Sequence, residues 1–370
     1  STVHFSHVPE GLRTVVIDYL RASSLEKMKK QPGESDVEFE MRKFGADAVL
    51  DWFELTATDG ENLTAGLKID PETRSFMSEV VLTARPETGL ATALNTMGSQ
   101  RDRFDSLSSK GTPFQLSTSW VMGDHVTKMI QSALDVGHIK GRDAANKNPV
   151  EWSVIDSVHT LLTSTVADRH VNSVVRIVGH PPAQFILVGA MHFSKATDLD
   201  TCMQRAYAAI VAGSDVASVE VNVDTHQGIE IHRLIPKKYD TVTTLLYGTG
   251  AVLYVAQVGG DLWYSFGGSK AIDELKLSID RVTAAGQSAP NAEGRILELS
   301  IDLANWLSVI PQADPKLAQT TRQAFTNGGD GLAIRVQRID NGVQSRLTLG
   351  KGYVRLIGLL IAGAIDERRN

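Results

Sequence analysis

The chain has 370 residues, 42% of them hydrophobic, which is enough apolar sequence for a large core. Charged residues make up 22% of the chain and leave a net charge of −6, with both signs mixed along it. No basic stripe is present to attract a phosphate backbone, so nucleic-acid binding is not expected. The single cysteine, Cys202, excludes an intrachain disulfide and the cysteine-cluster zinc and iron–sulfur sites.

The N-terminal 45 residues predict a strand, a helix over about residues 12–30 and a charged segment. We interpret residues 1–45 as the tail of a preceding unit. The chain begins with Ser1, so we expect either that a leader has been removed or that the sequence is part of a longer protein.

Residues 46–145 predict a first hairpin–helix domain. Apolar residues alternate on both sides of a turn at 70–73, and a strand at 113–121 then precedes an amphipathic helix near 123–136. Residues 146–290 predict a second such domain, and residues 291–370 a closing unit of strand, helix, hairpin and helix. The apolar stretch 353–365 is shorter than the roughly 20 residues that span a bilayer, so we expect a buried helix and no transmembrane segment.

Internal similarity indicates the fold class. Residues 217–235 and 332–350 share an alternating strand, a polar turn that closes on Gly228 or Gly342, and a returning strand. The pair Asn341-Gly342 is typical of the centre of a type I′ turn, because both central positions need a positive φ. We therefore predict an α+β fold of repeated β-hairpin plus helix units, with mostly antiparallel sheets and helices on one sheet face.

The stretch "VEVNVDTHQGIEIHR", residues 219–233, contains possible metal ligands. His226, Glu230 and His232 lie within seven residues, and imidazole and carboxylate groups suit a transition metal. The alternative is a polar hairpin face exposed to solvent. The related hairpin has Gln344 and Arg346 at the positions of Glu230 and His232, and this favours the second interpretation.

Other candidate residues are dispersed along the chain. His192 lies at the end of a predicted strand and could act as a base, but no nucleophile motif lies beside it, so a hydrogen-bonded polar residue without a chemical role is the favoured interpretation. Trp263 and Tyr264 could bind a ligand in a groove between units, and core packing is the alternative for them. The groove would be completed by other aromatic residues, namely Trp120, Trp152 and Trp306. No phosphate-binding loop or nucleophile elbow is complete, and no cofactor is predicted.

Three segments contain a distinctive set of turns and helix starts, namely "LTAGLKIDPETRSFMSEVVLTARPETGLATAL", "VLYVAQVGGDLWYSFGGSKAIDELK" and "GLAIRVQRIDNGVQSRLTLGKGYVRLIG". They resemble large uncharacterised exported proteins of planctomycete-type bacteria. The matching motifs are turns and helix starts, in particular Asp70 to Thr73, Thr83 to Pro86, Tyr264 to Lys276 and Asn341 to Gly358. The resemblance implies an exported, extracytoplasmic location, periplasmic or at the cell envelope, and it implies no reaction.

These observations favour a non-enzymatic exported envelope protein that acts by self-assembly or by binding. Hairpin repeats leave sheet edges that must be covered or paired, so a homo-oligomer is expected. Other envelope components, or the protein's own N-terminal fragment, are further possible partners. Two alternatives stay open, namely an exported protein that binds a small molecule or peptide, and a hydrolase with an unrecognised His/Asp/Glu site.

Overall fold

The computed structural model describes residues 1–109, 111–145, 148–179, 184–213, 217–286, 294–306, 315–325 and 331–369. Thirteen strands in these ranges form one sheet, in which every neighbouring pair is antiparallel. The strands are β1 (Thr2–His4), β2 (Gly60–Asp70), β3 (Ser75–Ala84), β4 (Phe114–Val121), β5 (His170–Val178), β6 (Ile186–His192), β7 (Ala217–His226), β8 (Ile229–Pro236), β9 (Val252–Val258), β10 (Asp261–Gly267), β11 (Arg295–Asp302), β12 (Gly331–Ile339) and β13 (Gly342–Leu349). Their spatial order is β1-β2-β3-β13-β12-β11-β4-β5-β6-β10-β9-β8-β7.

Helices connect the strands along the described chain. They are α1 (Glu10–Lys27), α2 (Asp36–Asp59), α3 (Gly89–Met97), α4 (Asp124–Ala144), α5 (Pro149–Asp168), α6 (Ala196–Val211), α7 (Thr241–Tyr247), α8 (Ala271–Ala285), α9 (Pro315–Ala324) and α10 (Lys351–Arg369). The predicted α+β class with antiparallel hairpins is confirmed. No helix among the described residues is both long and apolar enough to cross a membrane.

The hairpins expected from internal similarity are formed by β2–β3, β7–β8 and β12–β13. The turn of the last one lies one residue earlier than expected, because Gly342 already pairs with Ile339 and Thr83. Asn341 has a φ of 49°, as a left-handed turn position requires. Gly342 is instead required by the close approach of the neighbouring strand, since a Cβ there would lie 2.5 Å from the carbonyl oxygen of Leu82 on β3.

The predicted units all contribute strands to the same sheet. β1 pairs with β2, β3 pairs with β13, and β4 pairs with both β5 and β11, so the ladder joins residues from each unit. Helix α2 also crosses the boundary expected at residue 45. It begins in the charged segment, where Ser35 and Glu38 form a capping box that satisfies the first free N–H groups. The boundary expected near residues 285–294 lies mostly outside the described residues.

Helices lie on both faces of the sheet rather than on the single face expected from the sequence. Trp263 of β10 packs in a core cluster with Leu275 and Ile279 of α8. Its neighbour Leu262 packs against a second cluster that contains Leu199 of α6. Because adjacent strand residues point to opposite faces, α8 and α6 cover opposite sides. The reason is that β10 has large side chains to cover on both faces, Trp263 on one and Leu262, Tyr264 and Phe266 on the other.

The closing helix α10 is only partly covered. Ile357, Leu360 and Ile361 have exposed fractions of 46%, 46% and 56%, so the expectation of a buried helix is wrong. Its first turn is anchored, because Tyr353 donates a hydrogen bond to the carbonyl oxygen of Ile301 and packs edge-on against Phe325.

Candidate functional site

A cavity of about 490 Å³ opens on the α8 face of the sheet. The loop 100–106 forms one side, the ends of β5, β6 and β10 form the floor, and the C-terminal half of α8 forms the opposite wall. Its polar lining includes Arg103, Asn172, His192 and Asp261. Polar and apolar walls therefore face each other across one space of a size typical for small-molecule sites.

Buried polar groups hold the loop against the sheet. The carboxylate of Asp102 accepts hydrogen bonds from the backbone N–H of Phe104 at 2.9 Å and from the hydroxyl of Ser117 on β4 at 2.8 Å. Asn172 on β5 accepts from the backbone N–H of Arg103 at 3.0 Å and donates to the carbonyl of Arg101 at 3.3 Å. Burial raises the pKa of the Asp102 carboxyl, despite these hydrogen bonds.

Two aromatic residues fix the base of the loop. Phe104 and Trp263 are both buried and meet edge to face, with ring centroids 5.6 Å apart. They belong to the core cluster that includes Leu275 and Ile279 of α8. The packing of these two rings therefore holds the loop in place together with the hydrogen bonds. The polar side chains beside the loop thus have a rigid support.

The central polar group of the cavity is Asp261. One carboxylate oxygen lies 2.7 Å from Nδ1 of His192, and the other accepts a hydrogen bond from Nε of Arg103 at 2.8 Å. The Asp261 side chain is 6% exposed, whereas His192 and Arg103 are 24% and 48% exposed. A buried carboxylate therefore orients an imidazole and a guanidinium that both reach the cavity.

Strand register and a glycine turn produce this arrangement. His192 ends β6 and lies directly opposite Asp261, which begins β10. The preceding turn needs two glycines. Gly259 has a φ of 59°, and a Cβ on Gly260 would lie 2.4 Å from the carbonyl oxygen of Phe193. The sequence Gly259-Gly260-Asp261 thus brings the carboxylate close to His192.

Several cavity atoms have no hydrogen-bond partner in the described part of the chain. His192 forms its hydrogen bond through Nδ1, which leaves Nε2 without a partner. Arg103 forms its hydrogen bonds through Nε and the backbone N–H, which leaves the terminal amino groups without one. The buried indole N–H of Trp263 and the buried side-chain oxygen of Gln100 are also unpaired. The partly exposed atoms of His192 and Arg103 are accessible to a ligand or water, whereas the two buried atoms depart from the usual pairing of buried polar groups.

The structure does not bring the predicted metal ligands together. His226 points to the α8 face, where its Nε2 lies 2.6 Å from a carboxylate oxygen of Asp280. Glu230 and His232 line a separate space on the opposite face, beside Tyr207 of α6. Among the described residues, no three His, Cys, Asp or Glu side chains form a group that could hold a metal ion.

Burial lowers the pKa of His232, and the backbone N–H of Asn222 donates to its Nδ1 at 3.2 Å. This hydrogen bond comes from a bulge between Glu220 and Asp224, where Asn222 has a φ of 53°. The bulge interrupts the outer edge of the sheet, so the polar residues of this hairpin also serve to shape the edge strand.

The two predicted ligand-binding aromatics separate in the same way. Trp263 lines the cavity, whereas Tyr264 points to the opposite face and packs over Gly189. The other aromatics of the proposed groove do not line this cavity. Trp152 donates its indole N–H to the carbonyl of Arg142, and Trp306 donates to that of Pro113.

Sequence reasoning identified His192 as a possible base and missed both Asp261, which bonds to it, and Arg103, which bonds to the same carboxylate. Asp261 follows a Gly-Gly turn and Arg103 lies in a polar loop, so neither residue stands out locally. The useful signal would have been that His192 ends one apolar strand and Asp261 begins another. No family model matches the chain, and neither a curated protein nor a solved structure matches it.

Proposed function

We propose that the protein binds a small organic acid in the cavity beside His192, Asp261 and Arg103. One observation carries this proposal. Asp261 bonds to Nδ1 of His192 and to Nε of Arg103, and this leaves Nε2 of His192 and the terminal amino groups of Arg103 uncommitted at the cavity.

The charges around the cavity favour an anionic ligand group. Each carboxylate that lines the cavity is already bound by the protein. Asp261 accepts from Arg103 and His192, Asp102 accepts from Ser117 and the backbone, and Asp105 lies 2.5 Å from Arg295. The remaining polar groups are mostly donors, and a guanidinium edge matches the two oxygens of a carboxylate.

The apolar part of the lining favours an organic body for the ligand. Trp263, Ile279 and Val282 line the cavity together with Val258 and Ala285. Burial of apolar ligand surface against such a wall contributes roughly 25 cal/mol per Å². The best match is therefore a monocarboxylic acid with an aromatic ring or a short alkyl chain, such as benzoate or hexanoate.

The orientation of His192 couples binding to a proton. Because the Asp261 carboxylate can only accept, Nδ1 of His192 carries a hydrogen, and Nε2 of the neutral ring then has a lone pair. A ligand carboxylate can bond to Nε2 only when a proton is added there.

Titration calorimetry with benzoate and hexanoate tests the proposal. Arg103→Gln removes a charge-assisted hydrogen bond worth about 1.5–3 kcal/mol, so affinity should fall by about 10- to 100-fold. Arg346→Gln is the matched control, because Arg346 is also a half-exposed arginine bonded to one carboxylate, that of Glu79, and it lies outside the cavity. Equal affinity for benzoate and benzyl alcohol, or an unchanged affinity in Arg103→Gln, would refute the proposal.

Self-assembly is a second candidate function, favoured by the outer edge of β2. β1 covers this edge only from Asn62 to Thr64, with Ser1 bonded to Ala65. Beyond that point Leu67 and Ile69 have exposed fractions of 76% and 71%. An uncovered edge with apolar residues can pair with the same edge of a second copy. Light scattering over a wide concentration range tests this. A mass that stays at that of one chain would contradict self-assembly.

The exported location remains a prediction from the resemblance.

A further inference from the structure

We infer that the same cavity hydrolyses carboxylic esters, with His192 as the general base that activates water. This inference rests on the proposed function, since the product of the reaction would be the organic acid that the cavity binds. It goes beyond binding by assigning a chemical step to the lone pair on Nε2.

The geometry gives His192 the features of a base. Its ring is held by the 2.7 Å hydrogen bond from Nδ1 to Asp261, so the free nitrogen is Nε2. Asp261 is 6% exposed and is tied by its other oxygen to Arg103, which keeps the carboxylate from turning away. A buried carboxylate stabilises the imidazolium that forms when Nε2 takes a proton.

Water is the nucleophile in this proposal. No hydroxyl or thiol of a described residue forms a hydrogen bond with Nε2 of His192, so a covalent intermediate on a side chain is not indicated. The cavity of about 490 Å³ has room for a water molecule beside an ester of benzoic or hexanoic acid.

The step balances without any further reactant. Nε2 of His192 takes one proton from water as the water oxygen forms a bond to the ester carbonyl carbon, and the carbonyl π electrons move to its oxygen. The amino groups of Arg103 stabilise this oxyanion. The oxyanion then re-forms the carbonyl and breaks the bond to the alcohol oxygen, which receives the proton from Nε2. Ester and water become acid and alcohol.

The rate depends on the neutral form of His192 and on the charges that face it. The loop and the strand ends supply these charges, because the α8 residues that line the cavity are uncharged, namely Ile279, Val282, Thr283 and Ala285. The charged and titratable lining groups are Arg101, Asp102, Arg103, Asp105, His170 and Asp261.

Release of p-nitrophenolate from p-nitrophenyl benzoate and p-nitrophenyl hexanoate measures the activity. His192→Gln should lower kcat/KM by about 10²- to 10⁴-fold, the usual contribution of a general base. Asp261→Asn tests the positioning role, and should lower kcat more than it raises KM, because the ring loses its support while Nε2 is kept. His226→Gln is the matched control, because His226 is also a strand histidine bonded to an aspartate, and it lies outside the cavity. Its kcat/KM should equal that of the parent protein.

Parallel calorimetry with benzoate separates the two proposals. Saturable turnover that is lost in His192→Gln and kept in His226→Gln supports ester hydrolysis. Benzoate binding without turnover above the buffer rate overturns the hydrolysis and leaves the binding function intact. Turnover that persists in His192→Gln also overturns it. Absence of both binding and turnover refutes the binding function together with the inference drawn from it.

Discussion

Gly189 of β6 lies at a tight contact with both neighbouring strands, three residues before His192. A Cβ at this position would lie 2.5 Å from both Cζ and the hydroxyl oxygen of Tyr264, and 2.6 Å from the carbonyl oxygen of Val174. Tyr264 lies directly opposite on β10 and Val174 lies on the neighbouring strand β5. Gly189→Ala therefore forces the two adjacent strands apart or displaces the tyrosine ring.

The cost follows from which atoms can move. Overpacking a well-packed interior by one methyl group typically costs 1–3 kcal/mol, and a carbonyl oxygen within a paired strand cannot move without loss of ladder hydrogen bonds. We therefore expect Gly189→Ala to lower the free energy of unfolding by about 3 kcal/mol. Gly66→Ala on β2 is the matched control, because nothing lies within 4 Å of its added Cβ. Its stability should be unchanged or higher by up to about 1 kcal/mol.

Urea unfolding followed by circular dichroism measures both variants, with the midpoints compared at equal slope. A double variant divides the effect further. Tyr264→Leu in the Gly189→Ala background removes the ring contact and leaves the Val174 carbonyl contact, so it should restore only part of the stability. Equal stabilities for Gly189→Ala and Gly66→Ala would refute the reasoning, and full recovery in the double variant would refute the role of the Val174 carbonyl.

Two further predictions concern buried polar groups. Burial raises the pKa of Asp102 above its ordinary 3.8, so this carboxyl costs stability as pH rises through that range. The difference between the free energy of unfolding of Asp102→Asn and that of the parent protein should therefore shift in favour of the variant from pH 4 to pH 7. Urea titrations at each pH measure this difference, and a constant value would contradict the prediction. The buried hydroxyl of Tyr207 has no partner among the described residues, and burial raises its pKa. Tyr207→Phe should be neutral or stabilising by about 1 kcal/mol in the same assay, and a loss of that size would show that the hydroxyl is bonded.

Local signals predicted the repeated hairpins correctly because a hairpin is specified by residues close in sequence. The alternation of β2 and β3 on each side of the turn at Asp70-Pro71, and the turn at Asn341, are examples. Strand order could not be predicted in this way. β6 and β10 are neighbours although β7, β8 and β9 separate them along the chain, and only the packed fold brings them together.

The candidate site depends on this non-local pairing. His192 could be noted as a strand-end residue, but its partner Asp261 comes from the far side of the β7–β9 segment and Arg103 from a loop held by Asn172. Trp263 and Tyr264 are adjacent in sequence, and alternation along β10 sends them to opposite faces. A pattern of residue types indicates that such groups are present, and the sheet register decides which of them meet.

A crystal structure of the protein with benzoate at saturating concentration is the direct test of whether the cavity binds an organic acid through His192 and Arg103. Density for the ligand is expected in the cavity. Its carboxylate should lie within hydrogen-bond distance of Nε2 of His192 and the amino groups of Arg103, and its ring should lie against Trp263. A cavity that holds only water under these conditions, or a carboxylate directed away from both side chains, would contradict this expectation.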